Sequence, residues 1–344
     1  MPPPPAPQRV LVVRTGAIGD VANALVLASA LKRGLAGVQI GWVVHALAAP
    51  LVAGHPDVDR VHLWRRGQGW SGLRALIGEL RAARYDTAID LQRLQKSALL
   101  ARLSGAARVV GFERRRVKES SWIWTKERIP AGPPETHMLD TYLAMARHFV
   151  PAAAAERRLP VDPAAEAWAE ARLAALGAPP LLLNLGATKS ANRWPPERFG
   201  ALAAALRRRG LGPLALIGGP GDREAADLAL AAGAQQAGAL DLVGRSSLLE
   251  LIALLRRARL FVGADTGPMH LAAAVGCPVL ALFGAADERR TGPYGSDRRG
   301  RRHLVLRERP ACAPCGKRDC PLPRHACMLD LEVERVAEAA AQQA

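Results

Sequence analysis

The sequence predicts an α/β protein of two domains, each built on a doubly wound parallel sheet. The chain has 344 residues, about twice the length of a domain of about 150 residues. Short apolar segments alternate with amphipathic ones in the first half of the chain, and the alternation starts again in the second half. This alternation is typical of βαβ units in a parallel sheet. The predicted domains are residues 1–160 and 161–344.

Near-continuous apolar runs predict the strands of the first domain, because strands of a parallel sheet are buried on both faces. In chain order we expect strand 10–13, helix 21–33, strands 38–44 and 61–64, helix 73–83, strand 87–91 and helix 96–103. Residues 151–163 are rich in Pro and Ala around a charged centre, which indicates a linker between the domains.

The second domain repeats the pattern. In chain order we expect strand 181–185, helix 196–209, strand 214–217, a glycine-rich turn with a helix through 230, a helix from 247 to about 257, strands 260–262 and 279–283, and a terminal helix 331–341. Ser247 and Glu250 have the spacing of a capping box. Because ligands of such sheets bind beyond the carboxyl ends of the strands, the loops after the strands are the candidate sites.

Charge and composition limit the class of protein. Lys and Arg number 47 against 31 Asp and Glu, a net charge of +16, which attracts nucleic acid, an acidic membrane surface or a phosphorylated substrate. With 49% hydrophobic and 23% charged residues, a disordered or fibrous chain is excluded. Residues 1–7 lack the basic and apolar regions of a signal peptide, and no stretch predicts a membrane span. We expect a cytoplasmic protein.

The first candidate site follows the first strand, at Gly16-Ala17-Ile18-Gly19-Asp20. The glycines allow a close backbone approach to a ligand. The spacing G-x-x-G-D differs from the dinucleotide fingerprint G-x-G-x-x-G and places a carboxylate where a pyrophosphate would bind. Asp20 is therefore either a general base or a first-turn residue that complements the helix dipole, and the spacing leaves both open.

The second candidate site is Asp265-Thr266-Gly267-Pro268-Met269-His270, between a strand and a short helix. Backbone amides at Thr266 and Gly267 would form an anion pocket at the helix N-terminus. Asp265 would accept hydrogen bonds from sugar-like hydroxyls. The alternative is a turn with a helix-capping Asp265 and a structural His270.

Two further loops offer polar groups at strand ends. Thr188, Lys189 and Arg193 provide a hydroxyl and two cations for a diphosphate, although a solvated basic loop is the simpler interpretation. In the glycine-rich loop 218–224, Asp222 or Glu224 would bind ribose hydroxyls, and a plain turn into a helix explains this loop nearly as well.

A basic segment of the first domain precedes an apolar-aromatic one. It consists of Arg114, Arg115, Arg116 and Lys118, followed by the run 122–124, W-I-W. Such a segment would bind an acidic glycolipid at a membrane face, and a solvated basic loop with one packed Trp is the alternative.

Four of the five cysteines are crowded into the tail, at Cys312, Cys315, Cys320 and Cys327. Thiolates in sets of four suit a structural zinc, with His325 as a substitute ligand. The spacing matches no standard zinc ribbon or finger, and reduced thiols that stabilise a loop are the alternative.

Together the strand-end loops resemble glycosyltransferase family 9, the heptosyltransferases of lipopolysaccharide core assembly. The resemblance extends over nearly the whole chain, through V-L-V-V-R-T-G-A-I-G-D, W-V-V-H, H-P-D-V-D-R-V, N-L-G-A-T-K-S-A-N-R-W-P, G-A-D-T-G-P-M-H-L-A-A-A-V-G-C-P-V-L-A-L-F-G and the C-A-P-C…C…C-M tail. The segment D-T-G-P-M-H-L-A-A-A combined with an N-terminal G-x-x-G-D is specific to this family.

The resemblance implies a GT-B fold, in which two Rossmann-like domains face each other across a cleft. It implies that the first domain binds the acceptor and the second the nucleotide sugar, and that heptose leaves an ADP-activated donor with inversion, without a catalytic metal or a cofactor. The implied roles are a catalytic base at Asp20, acceptor binding around Gly16 and Gly19, donor binding at Asp265, Thr266, Gly267 and His270, and phosphate contacts at Thr188 and Lys189.

One residue departs from the family pattern. Asn192 stands where many members carry Lys just before R-W-P, so we transfer the cationic role to Lys189. The implied partners are ADP-heptose, a Kdo-lipid A or inner-core lipopolysaccharide acceptor, and the cytoplasmic face of the inner membrane, with no nucleic acid. W-V-V-H and N-R-W-P favour the enzyme type that adds the first heptose, and a heptosyltransferase II-like enzyme or one that uses another sugar is the alternative.

Two other classes are disfavoured. An NAD-dependent oxidoreductase would need the missing dinucleotide fingerprint. A nucleic-acid-binding protein would need clustered basic residues and more aromatics for stacking than the 4% in this chain.

Overall fold

The computed structural model describes residues 6–65, 67–130 and 132–344. Residues 1–5, most of the proline-rich stretch in which we expect no signal peptide, lie outside the described residues. The chain divides into two compact units, Met1–Pro160 and Val161–Ala344. Among the residues that the structure describes, no helix combines the length and the apolar character needed to cross a membrane.

Unit one contains a six-stranded parallel sheet flanked by helices. Its strands are β1 (Arg9–Val13), β2 (Gln39–Val44), β3 (Arg60–Leu63), β4 (Thr87–Asp90), β5 (Arg108–Phe112) and β6 (Glu127–Ile129). Its helices are α1 (Ile18–Gly34), α2 (Ala49–Ala53), α3 (Gly69–Ala82), α4 (Gln95–Leu103) and α5 (Met138–Phe149). The strands lie in the order β3-β2-β1-β4-β5-β6.

Unit two contains a second six-stranded parallel sheet. Its strands are β7 (Leu181–Asn184), β8 (Leu214–Ile217), β9 (Leu240–Asp241), β10 (Leu260–Ala264), β11 (Val279–Phe283) and β12 (Leu304–Arg307). Its helices are α6 (Pro163–Leu173), α7 (Pro196–Arg208), α8 (Arg223–Ala229), α9 (Leu248–Arg257), α10 (Gly267–Ala274), α11 (Glu288–Thr291), α12 (Ala326–Leu329) and α13 (Val333–Gln343). The strands lie in the order β12-β11-β10-β7-β8-β9.

Counted within each unit, both sheets have the strand order 3-2-1-4-5-6 of the dinucleotide-binding fold. The direction of winding changes between β1 and β4 in unit one and between β7 and β10 in unit two. These strands are neighbours in register, with Val13 beside Asp90 and Gly263 beside Asn184. Loops that follow the four strands therefore meet at one point in each unit, and the predicted α/β class with parallel doubly wound sheets is confirmed.

The eight predicted strands are present, and among the described residues the structure adds four that the sequence analysis did not predict, β5, β6, β9 and β12. β6 has three residues and buries only Ile129 fully, while β9 has two residues, neither fully buried. β12 is half-buried along its length. β6 and β9 are strands because they pair with a neighbouring strand, and they have little apolar character of their own. The apolar pattern of the sequence therefore did not predict them.

The segment predicted as a linker contains the boundary between the two units. α6 begins at Pro163, the last residue of the predicted linker. Pro is favoured in the first turn of a helix. The Asp162 carboxylate caps this helix and accepts a hydrogen bond from the backbone N–H of Ala165 at 2.7 Å.

Aromatic residues anchor the core of unit two despite their scarcity. Trp194 and Phe199 pack edge to face with ring centroids 4.9 Å apart. The indole N–H of Trp194 donates to the backbone oxygen of Leu331 at 3.0 Å. These contacts of Trp194 fix the end of the loop that precedes α7 and that carries predicted site residues.

Candidate functional site

In unit one, Asp20 lies in the first turn of α1, directly beyond the end of β1. Its carboxylate forms an ion pair with the Arg14 guanidinium, and its side chain is 37% exposed whereas that of Arg14 is 5% exposed. A Cβ added at Gly16 would meet no atom within 4 Å, so the backbone before the helix is open to a ligand, while Gly19 is buried within the helix. Asp20 is thus a partly accessible carboxylate held by a buried cation.

Arg14 is surrounded by groups that hold it in place. Its guanidinium donates to the backbone oxygen of Leu91 at 3.3 Å and lies 5.8 Å from the centre of the Tyr142 ring. The indole N–H of Trp42 donates to the backbone oxygen of Arg14 at 2.9 Å. Burial acts to lower the pKa of Arg14, but nearby Tyr142, Asp20 and Asp90 together raise it above its usual range. Arg14 therefore stays charged.

Asp90 ends β4 at the same point of the sheet, and it is buried with 2% exposed. Its carboxylate accepts a hydrogen bond from the backbone N–H of Gln92 at 3.1 Å. Burial raises the pKa of Asp90 to about 6, against the opposing effect of its hydrogen bonds and of Arg14. Sequence reasoning missed both Arg14 and Asp90, although each is a charged residue at the carboxyl end of an apolar strand, which is the signal that marks them.

The basic segment of unit one lies beyond β5, with Arg114, Arg115 and Lys118 exposed and Arg116 half-buried. The ring of Trp122 lies between two guanidinium groups, 5.1 Å from Arg114 and 5.2 Å from that of Arg128. Ile123 beside it is 56% exposed. The arrangement combines cations with a half-buried Trp122 and leaves the apolar side chain of Ile123 in solvent.

In unit two, Asp265 follows β10 and is 11% exposed at its side chain. Its carboxylate lies 3.7 Å from Nε2 of His270. The Asn192 carboxamide donates to the Asp265 carboxylate at 3.3 Å and to its backbone oxygen at 3.2 Å. The N-cap position of α10 is Thr266, the residue after Asp265. Through Asn192, Asp265 joins the loops after β7 and β10.

The loop after β7 presents its cations to solvent. Thr188, Lys189 and Arg193 are all exposed. The Arg193 guanidinium donates through Nε to the backbone oxygen of Ala187 at 2.9 Å, which closes the loop on itself. The Lys189 ammonium, by contrast, makes no hydrogen bond to the part of the chain that the structure describes.

The loop after β8 contacts the loop after β7. Asp222 accepts a hydrogen bond from the backbone N–H of Gly219 at 2.8 Å, and a Cβ added at Gly186 would lie 2.3 Å from its carboxylate. A side chain at position 186 would therefore displace the Asp222 carboxylate. Glu224 is exposed in the first turn of α8. The structure thus gives Asp222 a local structural role and leaves the Glu224 carboxylate in solvent.

The cysteine-rich tail packs against the predicted phosphate loop. Ser190 Oγ donates to the Asp319 carboxylate at 2.6 Å, and the Ala191 N–H donates to the backbone oxygen of Arg318 at 3.0 Å. The His325 ring bonds the backbone oxygen of Ala191 at 2.9 Å. A cavity of about 170 Å³ is lined by Cys312, Cys315, Cys320 and Cys327.

The thiols of this tail differ in their environment. Cys312 and Cys315 are exposed whereas Cys327 is buried, and burial raises the pKa of the Cys327 thiol to about 11. Within residues 6–65, 67–130 and 132–344, no group of three or more His, Cys, Asp or Glu side chains is placed to hold a metal ion. The predicted structural zinc and the predicted loop of reduced thiols therefore both stay predictions.

Comparison with known proteins agrees with these observations. The model of glycosyltransferase family 9 (heptosyltransferase) matches residues 73–325. Lipopolysaccharide heptosyltransferase 1 of Pseudomonas aeruginosa is 32% identical over 326 residues, which cover 91% of this chain and 87% of that protein.

Solved structures share the fold over nearly the whole chain. A family 9 glycosyl transferase from Veillonella parvula has a TM-score of 0.84 at 20% identity and covers 98% of this chain and 97% of its own. Escherichia coli heptosyltransferase WaaC, solved with ADP-2-deoxy-2-fluoro heptose, has a TM-score of 0.74 at 22% identity and covers 98% of this chain and 100% of its own. The two parallel sheets are those of a GT-B fold, and the chain belongs to glycosyltransferase family 9, the lipopolysaccharide heptosyltransferases.

Proposed function

We propose that this heptosyltransferase moves heptose from ADP-L-glycero-D-manno-heptose to the Kdo or inner-core region of lipopolysaccharide, with inversion and without a catalytic metal. The observation that carries the proposal is the Asp20 carboxylate, partly exposed at the end of β1 and paired with buried Arg14. This is the placement that a general base needs, since it must be ionised, oriented and open to substrate.

In the proposed reaction Asp20 removes the proton from an acceptor hydroxyl as the hydroxyl oxygen attacks the anomeric carbon of heptose. The bond from that carbon to the diphosphate oxygen breaks, and ADP leaves with the bonding electrons. Attack on the face opposite the leaving group inverts the anomeric configuration. Arg14 supports this step by holding Asp20 in one orientation through their ion pair.

Unit two provides the groups for the departing diphosphate. Backbone amides at the start of α10, at Gly267 and beyond, offer donors to negative charge. Thr188 and Lys189 on the loop after β7 add a hydroxyl and a cation, and both are exposed to an incoming nucleotide. These fixed dipoles and the Lys189 ammonium offset the charge that develops on the leaving group. For the ribose we favour Glu224, because Asp222 bonds to its own loop.

The acceptor is an acidic glycolipid in this proposal, and unit one carries a surface that suits it. Arg114, Arg115 and Lys118 attract its phosphates and carboxylates, while Ile123 and Trp122 offer apolar contact at the membrane. We therefore propose a peripheral protein at the cytoplasmic face of the inner membrane. The first-heptose acceptor Kdo2-lipid A is preferred, since the P. aeruginosa relative is named a heptosyltransferase 1.

The test is mass-spectrometric detection of heptose transfer from ADP-heptose to Kdo2-lipid A, by the wild type and by Asp20→Asn, with a chelator present. We expect transfer by the wild type and its loss in the variant, which binds ADP as the wild type does. No transfer by the wild type would contradict the first-heptose assignment, and heptosylated acceptors would then be tried. A fully active Asp20→Asn would refute the proposed base.

A further inference from the structure

A second pocket of unit two lies at the edge of the sheet opposite the loops that carry Asp265 and Lys189. Its volume is about 720 Å³, which is in the range of pockets that bind small organic ligands. Its lining includes Pro180, which directly precedes β7, and Arg259, which directly precedes β10. The backbone N–H of Arg259 donates to the oxygen of Pro180 at 2.8 Å. The pocket therefore lies at the amino ends of these two strands.

Guanidinium groups dominate the charged lining of this pocket. The charged residues that line it are Arg256, Arg257, Arg259, Arg298, Arg299 and Glu170. A second carboxylate, that of Glu166 on α6, accepts a hydrogen bond from Arg256 at 2.7 Å and also pairs with Arg257. Glu170 lies 3.9 Å from the Arg257 guanidinium. The two glutamates thus offset the charges on α9, and the positive charge of the other arginines remains.

The other three arginines have no acidic partner. In the part of the chain that the structure describes, Arg259, Arg298 and Arg299 form no ion pair with an Asp or Glu side chain. Arg298 donates to backbone oxygens at the end of α9. Arg259 donates through Nε to the backbone oxygen of Ala344 at 3.4 Å, and Arg299 donates through Nη1 to the same oxygen at 2.8 Å. The guanidinium groups of Arg259 and Arg299 are therefore close together, and each keeps N–H donors for a ligand.

The chemistry of this lining selects a phosphorylated ligand. A guanidinium group presents N–H donors in one plane, in a geometry that matches two oxygens of a phosphate group. Because several such groups surround one pocket, they suit an anion with more than one negative charge, such as a diphosphate or a phosphate ester. The apolar part of the lining, with Leu173, Ala174 and Pro179, suits the organic part of such a molecule.

We propose that this pocket is a second anion-binding site, in which Arg259 and Arg299 bind the phosphate groups of an organic phosphate. The site lies at the opposite edge of the sheet from the groups that we propose for the donor diphosphate, so both can be occupied at the same time. Its ligand would contact α9 and the segments before β7 and β12, and its binding therefore stabilises unit two against unfolding. A free organic phosphate and a phospholipid headgroup share this chemistry.

The experiment has two arms, which distinguish these two sources. Calorimetry measures the binding of pyrophosphate, and cosedimentation measures binding to vesicles of phosphatidylglycerol and phosphatidylcholine. Both are carried out with the wild type, Arg299→Glu, Lys189→Gln and Arg208→Glu. Arg208→Glu is the matched control, because it makes the same change of charge at an exposed residue of α7 that does not line the pocket.

We expect Arg299→Glu to weaken pyrophosphate binding at this site by at least about tenfold, since charged hydrogen bonds are lost. Lys189→Gln and Arg208→Glu should leave this site unchanged. Loss of pyrophosphate binding in Arg299→Glu identifies a free phosphate as the ligand, and loss of vesicle binding alone identifies a phospholipid headgroup.

The inference is overturned if Arg299→Glu binds both probes as the wild type does, if Arg208→Glu shows the same losses, or if the wild type binds neither probe. Circular dichroism checks that each variant folds. If Arg299→Glu does not fold, Arg299→Gln decides, because it removes the guanidinium of this exposed residue without reversing its charge. None of these outcomes bears on the proposed transfer of heptose, which the activity of Asp20→Asn tests separately.

Discussion

The two units place a carboxylate at the same point of the same strand order and surround it differently. Asp20 of unit one pairs with a buried guanidinium and keeps 37% of its side chain in solvent. Asp265 of unit two is 11% exposed and bonds a neutral amide, with His270 3.7 Å away. A carboxylate paired with a fixed charge and open to solvent suits proton removal. A buried one held by an amide suits hydrogen bonding to hydroxyls.

The surroundings of the strand end, and not the fold, therefore distinguish the roles that we propose for the two carboxylates. Both sites use a strand, a short turn and a helix N-terminus, which is the general ligand position of such sheets. Arg14 directly follows β1, the strand that leads to Asp20, while Asn192 comes from a different loop than Asp265. Residues close in sequence thus form the Arg14–Asp20 pair, whereas a tertiary contact forms the Asn192–Asp265 pair.

The largest effect is expected from substitution of the two carboxylates, Asp20 and Asp265, which we expect to act at different steps of the reaction. We expect Asp20→Asn to lower kcat by about 10²- to 10⁴-fold and to leave ADP-heptose affinity unchanged. Asp265→Asn should instead weaken ADP-heptose binding, since a charged acceptor for sugar hydroxyls is lost. Steady-state kinetics with calorimetry measure the two effects. The same loss of donor affinity in both variants would contradict the division of roles.

The next effect concerns the partner of Asp20. We expect Arg14→Met to lower kcat by roughly tenfold to a hundredfold, as expected for the loss of one charged hydrogen bond of about 1.5–3 kcal/mol, because Asp20 is then no longer oriented. Arg14→Lys should restore part of the rate, since it keeps the charge but loses the planar fork. A purely structural Arg14 would predict a lower melting temperature in Arg14→Met with unchanged kcat.

A third prediction tests the buried neighbour Asp90 through the pH dependence of stability. The pKa of Asp90 is about 6 in the folded protein and about 4 in the unfolded chain. Between these values the native state retains a proton that the unfolded state releases, so stability falls as pH rises through about 4 to 6. Asp90→Asn has no ionisable group at this position, so its free energy of unfolding should not show this fall.

Urea denaturation of wild type and Asp90→Asn at several pH values measures this effect. We expect the variant to gain stability relative to the wild type by up to about 3 kcal/mol from pH 4 to pH 7, the equivalent of a shift of about two pKa units. A difference that stays constant over this range would show that Asp90 has no shifted pKa. Glu135→Gln is the control, since Glu135 is an exposed surface carboxylate.

The smallest effect is expected at the cysteine-rich tail. We expect Cys312→Ser with Cys315→Ser, at exposed positions, to change neither stability nor donor affinity measurably, and the purified protein to contain no stoichiometric zinc. Cys327→Ser should be less tolerated because the thiol is buried. Metal analysis with thermal denaturation measures both, and one zinc per chain would establish the zinc site in place of the stabilising loop.

Much of the site could be predicted from the sequence, and the omissions have one cause. The motif around Asp20 and the segment from Asp265 to His270 were marked by glycines and polar residues directly after apolar strands. Arg14 and Asp90 were missed because a charge at or just after the last position of a strand does not show whether it is buried or paired.

The sequence by itself determined the two parallel sheets, the order of their main elements and the loops that carry polar groups, because strand burial on both faces and turn chemistry are local patterns. Only the tertiary structure decided which polar groups meet. The Asn192 and Asp265 side chains are 73 residues apart and bond directly, and the tail from Arg318 to His325 supports the loop before α7. Such contacts depend on strand order and on helix packing, which no run of neighbouring residues records.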